Sequence, residues 1–119
     1  PKDNTSGCAK EACEFRDYFP KFEKMNAKIF GISTDSVDSH FQFAKKYNLQ
    51  LTLLSDINKQ VVNLYGVWGE KSFMGRKYYG TLRTSFLIDT DGKIVKIYEK
   101  VKPEIHAKEV LDDLISIKI

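Results

Sequence analysis

The sequence predicts a three-layer α/β sandwich with a mixed β-sheet. Helix-like and strand-like segments alternate along most of the chain, and a β-hairpin and a closing helix follow them. The 119 residues suffice for one modest core. The sequence contains no internal repeat, low-complexity tract or linker. We therefore expect one domain over residues 1–119.

The first element is an amphipathic helix. From Cys8 to Phe22 the apolar residues recur at helical spacing, as Ala12, Phe15, Phe19 and Phe22. Pro20 interrupts this pattern, so we expect a kink or two segments rather than one straight helix. The segment AKIFGIS that follows is typical of a short buried strand.

A second helix is predicted within TDSVDSHFQFAKKYN. Asp35 or Ser36 can cap its start, and its apolar residues are Val37, Phe41, Ala44 and Tyr47. We expect LQLTLLSD to be extended and INKQVVNLYG to form a helix that ends at Gly66. The segment EKSFMGRK is polar except for Phe73 and Met74, which indicates an exposed loop.

The chain ends with a hairpin and a helix. LRTSFLID and IVKIYEK flank TDGK, whose Asp-Gly pair is a strong hairpin signal. Pro103 then begins the predicted last helix, which bears Ile105, Val110, Leu111, Leu114 and Ile115.

Composition excludes several classes of protein. Hydrophobic residues make up 42% and charged residues 29%, as in an ordinary globular protein. The net charge of +3 is spread along the chain, so we expect no nucleic-acid partner. No apolar run is long enough to span a membrane, and we expect no membrane association. Two cysteines are too few for a secreted disulfide scaffold, which favours a reducing, cytoplasmic setting.

The two cysteines, Cys8 and Cys13, are candidates for chemistry. Cys8 stands where the amphipathic pattern begins, and a helix N-terminus stabilises a thiolate through its free N–H groups and its dipole. Two ordinary buried cysteines are the alternative interpretation. A zinc site is not expected, because only His40 and His106 remain as soft ligands, each on a separate helix. We expect both histidines at the surface.

The opening segment PKDNTSGCAKEACEFRD closely resembles the active-site segment of peroxiredoxins, P-x-x-x-T-x-x-C. A second cysteine five positions later is similar to the peroxiredoxin Q, or bacterioferritin comigratory protein, subfamily. GISTDSVDSHFQFAKKYN, LTLLSD, YGVWGEKSFMGRKYYG and RTSFLIDTDGKIVKIY resemble the same subfamily in the same order, and together cover nearly the whole chain. The resemblance implies a thioredoxin-like fold.

It also implies a thiol peroxidase without metal or organic cofactor. Cys8 would be the peroxidatic thiolate, which attacks a peroxide oxygen and becomes a sulfenic acid. Cys13 would resolve the sulfenic acid as an intramolecular disulfide, and thioredoxin or a similar dithiol protein would reduce that disulfide. The subfamily also implies a monomer.

Four further residues acquire roles from the same resemblance. Thr5 would hold the peroxide through its hydroxyl, while Pro1 would shield the pocket from water. Arg83 would lower the pKa of Cys8 and stabilise charge on the peroxide oxygens, and Glu11 would orient Arg83. Ser6 stands where the family commonly has proline, so the loop before Cys8 is expected to be less rigid without losing a reacting group.

The resemblance further implies that the N-terminal strands of the fold are missing from this sequence, which starts at Pro1. Family members have a strand that runs into the Pro1 segment and lies between AKIFGIS and RTSFLID. We therefore expect an N-terminally truncated fragment in which those two strands do not pair with each other.

Two other functions are possible. A thioredoxin-like disulfide oxidoreductase uses C-x-x-C, and the wider spacing of Cys8 and Cys13 argues against it. An inactive peroxiredoxin-like binding domain would have an ordinary Cys8 thiol without a fast reaction with peroxide.

Overall fold

The computed structural model describes residues 1–3 and 5–118. These residues form four helices and six strands, in the order α1 Ser6–Lys24, β1 Phe30–Ser33, α2 Val37–Tyr47, β2 Thr52–Ser55, α3 Gln60–Leu64, β3 Trp68–Phe73, β4 Arg76–Thr81, β5 Thr84–Ile88, β6 Ile94–Glu99 and α4 His106–Lys118. The alternation of helices and strands, the later hairpin and the closing helix agree with the sequence prediction. None of the helices in this part of the chain is long and apolar enough to cross a membrane.

The described strands pair as three two-stranded sheets. β1 and β2 are parallel, whereas β3–β4 and β5–β6 are antiparallel hairpins. The sheets stay separate because none of the described residues forms a strand that joins them. β1 and β5 accordingly do not pair with each other in the described part of the chain, which confirms that expectation.

Helix α1 is continuous from Ser6 to Lys24 and contains Pro20, so the division into two segments is wrong. Pro20 is exposed on α1. A carbonyl that loses its helical donor at such a position can bond to water instead, which limits the cost of the proline.

The core lies between α1 and α4. It is centred on Phe22, Leu111 and Leu114, with partly buried residues around them, including Phe15, Tyr18, Met25, Ala27, Ile29, Leu87 and Val110. α4 begins at His106 rather than at Pro103, because residues 103–105 form a turn in which the Ile105 N–H donates to the Lys102 carbonyl.

His106 is fully buried, so its predicted surface position is wrong. Its Nε2 lies 2.8 Å from Ser85 Oγ and its Nδ1 lies 3.1 Å from Glu109 Oε1. The Phe15 and Tyr98 rings contact the imidazole edge-on. Both ring nitrogens have partners, which makes the burial of this polar ring tolerable.

Helix α2 has the predicted cap and a different buried face. Ser36 Oγ accepts from the Ser39 N–H at 3.1 Å. Val37 and Phe41 are 72% and 65% exposed, whereas His40 and Phe43 are buried. The predicted face is wrong at Val37 and Phe41 but correct at Ala44 and Tyr47, which are half-buried, because the polar residue His40 belongs to the buried stripe.

Strand β1 has the predicted location but not the predicted burial. Phe30 is 57% and Ile32 38% exposed, and only Ser33 of this strand is buried. β1 has one pairing partner, β2, so its other edge and much of one face remain uncovered in the described structure.

The segment EKSFMGRK is not a loop. It lies in the β3–β4 hairpin, which has Trp68 opposite Thr81 and Phe73 opposite Arg76. The turn consists of Met74 and Gly75, both with positive φ (52° and 79°), as in a two-residue hairpin turn of type I′. The strands escape sequence prediction because Gly, Lys, Glu and Ser give no alternation of apolar residues.

Candidate active site

Cys8 is the third residue of α1 and is half-buried. Thr5 is the N-cap, with extended backbone angles, and its carbonyl accepts the first helical hydrogen bond, from the Ala9 N–H at 2.9 Å. The Thr5 side chain does not cap the helix. The N–H groups of the first turn and the positive end of the helix dipole therefore lie close to the Cys8 sulfur.

A backbone N–H and a guanidinium point at that sulfur. The Lys2 N–H donates to Cys8 Sγ at 3.2 Å, and Arg83 Nη2 lies 3.6 Å from it. Thr5 Oγ1 donates to the Lys2 carbonyl at 2.8 Å. Lys2 therefore links the Thr5 hydroxyl to the sulfur, through its carbonyl and its N–H. A sulfur placed among donors is better solvated as a thiolate than as a thiol.

The pKa of the Cys8 thiol is lowered. Burial alone would raise this pKa, whereas hydrogen bonds from the Lys2 N–H and from Thr5 lower it. Pro1, the residue predicted to shield the pocket, is half-buried.

Arg83 directly precedes β5 and contacts α1, although it lies 75 positions after Cys8 in the chain. Its Nη1 donates to Glu11 Oε2 at 2.6 Å, and the two side chains are only 21% and 18% exposed. Burial alone would lower the pKa of Arg83, but the Cys8 thiolate first and the Glu11 carboxylate next raise it. Because this attraction is mutual, the guanidinium also favours the Cys8 thiolate.

Gly7 makes room for that guanidinium. A Cβ atom built on Gly7 would lie 2.7 Å from Arg83 Nη2, closer than real Cβ contacts allow. In the sequence, Gly7 follows Thr5 and Ser6 as a poor helix former before the amphipathic pattern. Its position one residue before Cys8 is the one available signal that another group approaches the helix here.

Cys13 lies in the same continuous helix, is half-buried and has a free thiol, as does Cys8. In an intact α-helix, Cα atoms five residues apart are about 8.6 Å apart. A disulfide requires Cα atoms within about 7 Å. The two cysteines therefore cannot bond while the first turns of α1 are formed.

The sequence analysis missed a cluster of polar side chains under the loop before α1. Asp3, Asp35 and His40 bring their carboxylate oxygens and ring nitrogens within 4.8 Å of one another, and His40 is buried instead of lying at the surface. Such a group could bind a metal ion. Hydrogen bonds within the protein already engage these atoms, and we assign no metal to them.

Comparison with known proteins places this chain in a family. Residues 1–97 match the model of the AhpC/TSA family. Among curated relatives, a putative peroxiredoxin bcp of Coxiella burnetii is 48% identical over 114 residues, which cover 96% of this chain and 76% of that protein. Peroxiredoxin Bcp of Escherichia coli K12 is 46% identical over 112 residues, 94% of this chain and 72% of that protein.

Solved structures of the same family are similar to this chain. A cysteine-to-serine mutant of Xylella fastidiosa PrxQ superimposes with a TM-score of 0.95 at 37% identity, over 100% of this chain and 74% of that one. The bacterioferritin comigratory protein of Xanthomonas campestris, whose structures concern its alkyl peroxide reduction activity, gives a TM-score of 0.92 at 37% identity. That match covers 98% of this chain and 73% of the other. The likeness confirms the thioredoxin-like fold.

Proposed function

The chain belongs to the AhpC/TSA family as a peroxiredoxin of the Bcp and peroxiredoxin Q type, and on that premise we propose how its two cysteines carry out the thiol peroxidase reaction. Cys8 is the peroxidatic residue and Cys13 the resolving residue. The observation that carries this proposal is the position of Cys8 Sγ at the start of α1, with Lys2 N–H and Arg83 as donors.

In the first step the Cys8 thiolate attacks one oxygen of a peroxide. The S–O bond forms as the O–O bond breaks, Cys8 is oxidised to a sulfenic acid, and the leaving oxygen takes a proton and departs as water or an alcohol. Arg83 and the Thr5 hydroxyl stabilise the negative charge that moves onto the oxygens. Glu11 keeps the Arg83 guanidinium in place through its hydrogen bond of 2.6 Å.

In the second step the Cys13 thiolate attacks the Cys8 sulfenic acid, the disulfide forms, and hydroxide leaves and is protonated to water. This step needs the first turns of α1 to unwind, because the intact helix keeps the cysteines too far apart. Unwinding is favoured by the weak start of α1, which has neither a side-chain cap nor an acidic residue in its first turn. The apolar core contacts of α1 lie beyond it, at Phe15, Tyr18 and Phe22, whereas the first turns are held by the polar contacts of Arg83.

A thiol reductant then returns the disulfide to two thiols by thiol–disulfide exchange. We assign this role to thioredoxin or a similar dithiol protein, and hydrogen peroxide and organic hydroperoxides to the substrate site. The monomeric state and the cytoplasmic location that we propose rest on the family resemblance and on the composition.

The test is rapid mixing of the reduced protein with hydrogen peroxide and, separately, with an alkyl hydroperoxide. We expect a fast reaction that the Cys8→Ser variant lacks, and a product mass two hydrogens below that of the reduced protein. A slow reaction equal to that of free cysteine would contradict the proposal and favour an inactive binding domain. Insulin reduction without peroxide turnover would instead favour a disulfide oxidoreductase.

A further inference from the structure

A buried polar cluster anchors the loop that carries the active site. Asp3 Oδ2 lies 2.7 Å from His40 Nδ1 and accepts from Ser39 Oγ at 2.8 Å, both from α2. The Asp3 N–H donates to Asp35 Oδ2 at 2.8 Å, in the segment after β1. The side chains of His40 and Asp3 are only 6% and 7% exposed. The loop before α1 is therefore tied to two other elements through one residue.

His40 has hydrogen-bond partners at both ring nitrogens. Nε2 lies 3.0 Å from the Leu54 carbonyl, and Nδ1 faces the Asp3 carboxylate. Ser33 Oγ, 3.4 Å from Nε2, donates its hydrogen to Asp35 Oδ2 at 2.7 Å. The imidazole thus bridges the loop residue Asp3 and strand β2.

The anchored residue lies next to the groups that act on the sulfur. Asp3 directly follows Lys2, whose N–H donates to Cys8 Sγ at 3.2 Å. The Lys2 carbonyl, which belongs to the same peptide unit as the Asp3 N–H, accepts from Thr5 Oγ1 at 2.8 Å. Fixing Asp3 therefore fixes both the donor on the sulfur and the direction of the Thr5 hydroxyl.

We propose that His40 is a positioning residue for peroxide reduction: through its hydrogen bond with the Asp3 carboxylate, it holds the Lys2 and Thr5 groups against Cys8. This inference rests on the proposed role of Cys8. Among the described residues, the titratable groups that meet His40 are Asp3 from the loop and Asp35 from the β1–α2 connection, while β2 supplies the Leu54 carbonyl. Removing the imidazole leaves the buried Asp3 carboxylate without this hydrogen-bond partner, which favours movement of the loop.

The test is His40→Gln, with His106→Gln as the matched control that removes the other buried histidine. We expect His40→Gln to slow the peroxide reaction about tenfold, and to move the midpoint of Cys8 alkylation upward by about half a pH unit or more. His106→Gln should lower the thermal midpoint but leave both readouts within about twofold of the wild type. Wild-type values of both readouts in His40→Gln would overturn the proposal.

A second variant keeps the test decisive if His40→Gln does not fold. Asp3→Asn preserves the shape of the partner without its charge, and it should reproduce the slower reaction and the shifted midpoint. A wild-type rate and midpoint in Asp3→Asn would contradict the proposal.

The alkylation midpoint does not depend on peroxide chemistry. If the wild type failed to react with peroxide while His40→Gln still shifted that midpoint, the proposed function would be wrong and the positioning role of His40 would stand.

Discussion

Arg83 Nη2 lies 3.6 Å from Cys8 Sγ, although 75 positions separate the two residues in the chain. The contact joins the start of α1 to the start of β5, so it exists only in the folded protein. Glu11 holds the other end of the guanidinium, at 2.6 Å, and Gly7 leaves space for it. The reactivity of Cys8 thus depends on how α1 and β5 are placed relative to each other.

Arg83→Met should slow peroxide reduction by about 10²- to 10³-fold, because it removes a charged donor from the developing oxyanion. The fold should persist, as judged by circular dichroism, and stopped-flow kinetics measures the rate. Arg76→Met, at an exposed arginine of β4, is the control and should react like the wild type. An unchanged rate in Arg83→Met would remove Arg83 from the mechanism.

Gly7→Ala should slow the same reaction about tenfold without lowering the thermal midpoint. The new methyl group displaces Arg83 Nη2, whose side chain can move, while alanine favours the helix by up to about 1 kcal/mol over glycine. Ser6→Ala, in the same turn, is the control and should keep the wild-type rate. If Gly7→Ala lowered the thermal midpoint as well as the rate, Gly7 would serve the fold and not the position of Arg83.

Cys13→Ser should leave the first peroxide turnover fast but abolish the disulfide and recycling by thioredoxin. Without a resolving thiol, Cys8 goes on to sulfinic and sulfonic acids in excess peroxide. Intact mass after peroxide treatment distinguishes these products from the disulfide. Normal recycling of Cys13→Ser would show that Cys13 is not the resolving thiol.

Oxidation of the wild type should reduce the helical circular dichroism signal, because the Cys8–Cys13 bond cannot form across intact turns of α1. Cys13→Ser treated in the same way cannot form that bond and should keep its signal. If the wild type forms the disulfide with no loss of helix, the unwinding step is wrong.

Asp113→Asn should destabilise the protein by about 1–2 kcal/mol at neutral pH, because it removes a charged acceptor for Lys96 Nζ and Tyr98 Oη, both within 2.7 Å. Lys96 first and Tyr98 next lower the pKa of Asp113. The stability that ionised Asp113 gives the folded protein is therefore complete above the unfolded-state pKa of about 3.9. It is lost as the pH falls through the lower folded-state pKa.

Denaturant unfolding at several pH values measures this contribution. Asp112→Asn, at the adjacent exposed position, is the control and should unfold like the wild type. Equal acid sensitivity of wild type and Asp113→Asn would contradict the assignment.

Elements with strong local signals were predicted correctly. The β5–β6 hairpin follows from its Asp-Gly turn, where Gly92 has a φ of +81°. Ser36 was one of the two caps expected for α2. The β3–β4 hairpin was not predicted, because its turn is Met74–Gly75 and its strands lack an alternating pattern.

The sequence by itself determined where Cys8 would lie, because the weak helix formers before it and the amphipathic stripe after it are local features that fix the start of α1. Tertiary structure alone decided which groups surround it: Arg83 through the placement of β5, and the burial of His40 beneath Asp3 through the packing of α2. Such contacts depend on the relative positions of whole elements. They leave no period or spacing in the residues that make them, which is why the sequence predicts surface positions for both histidines.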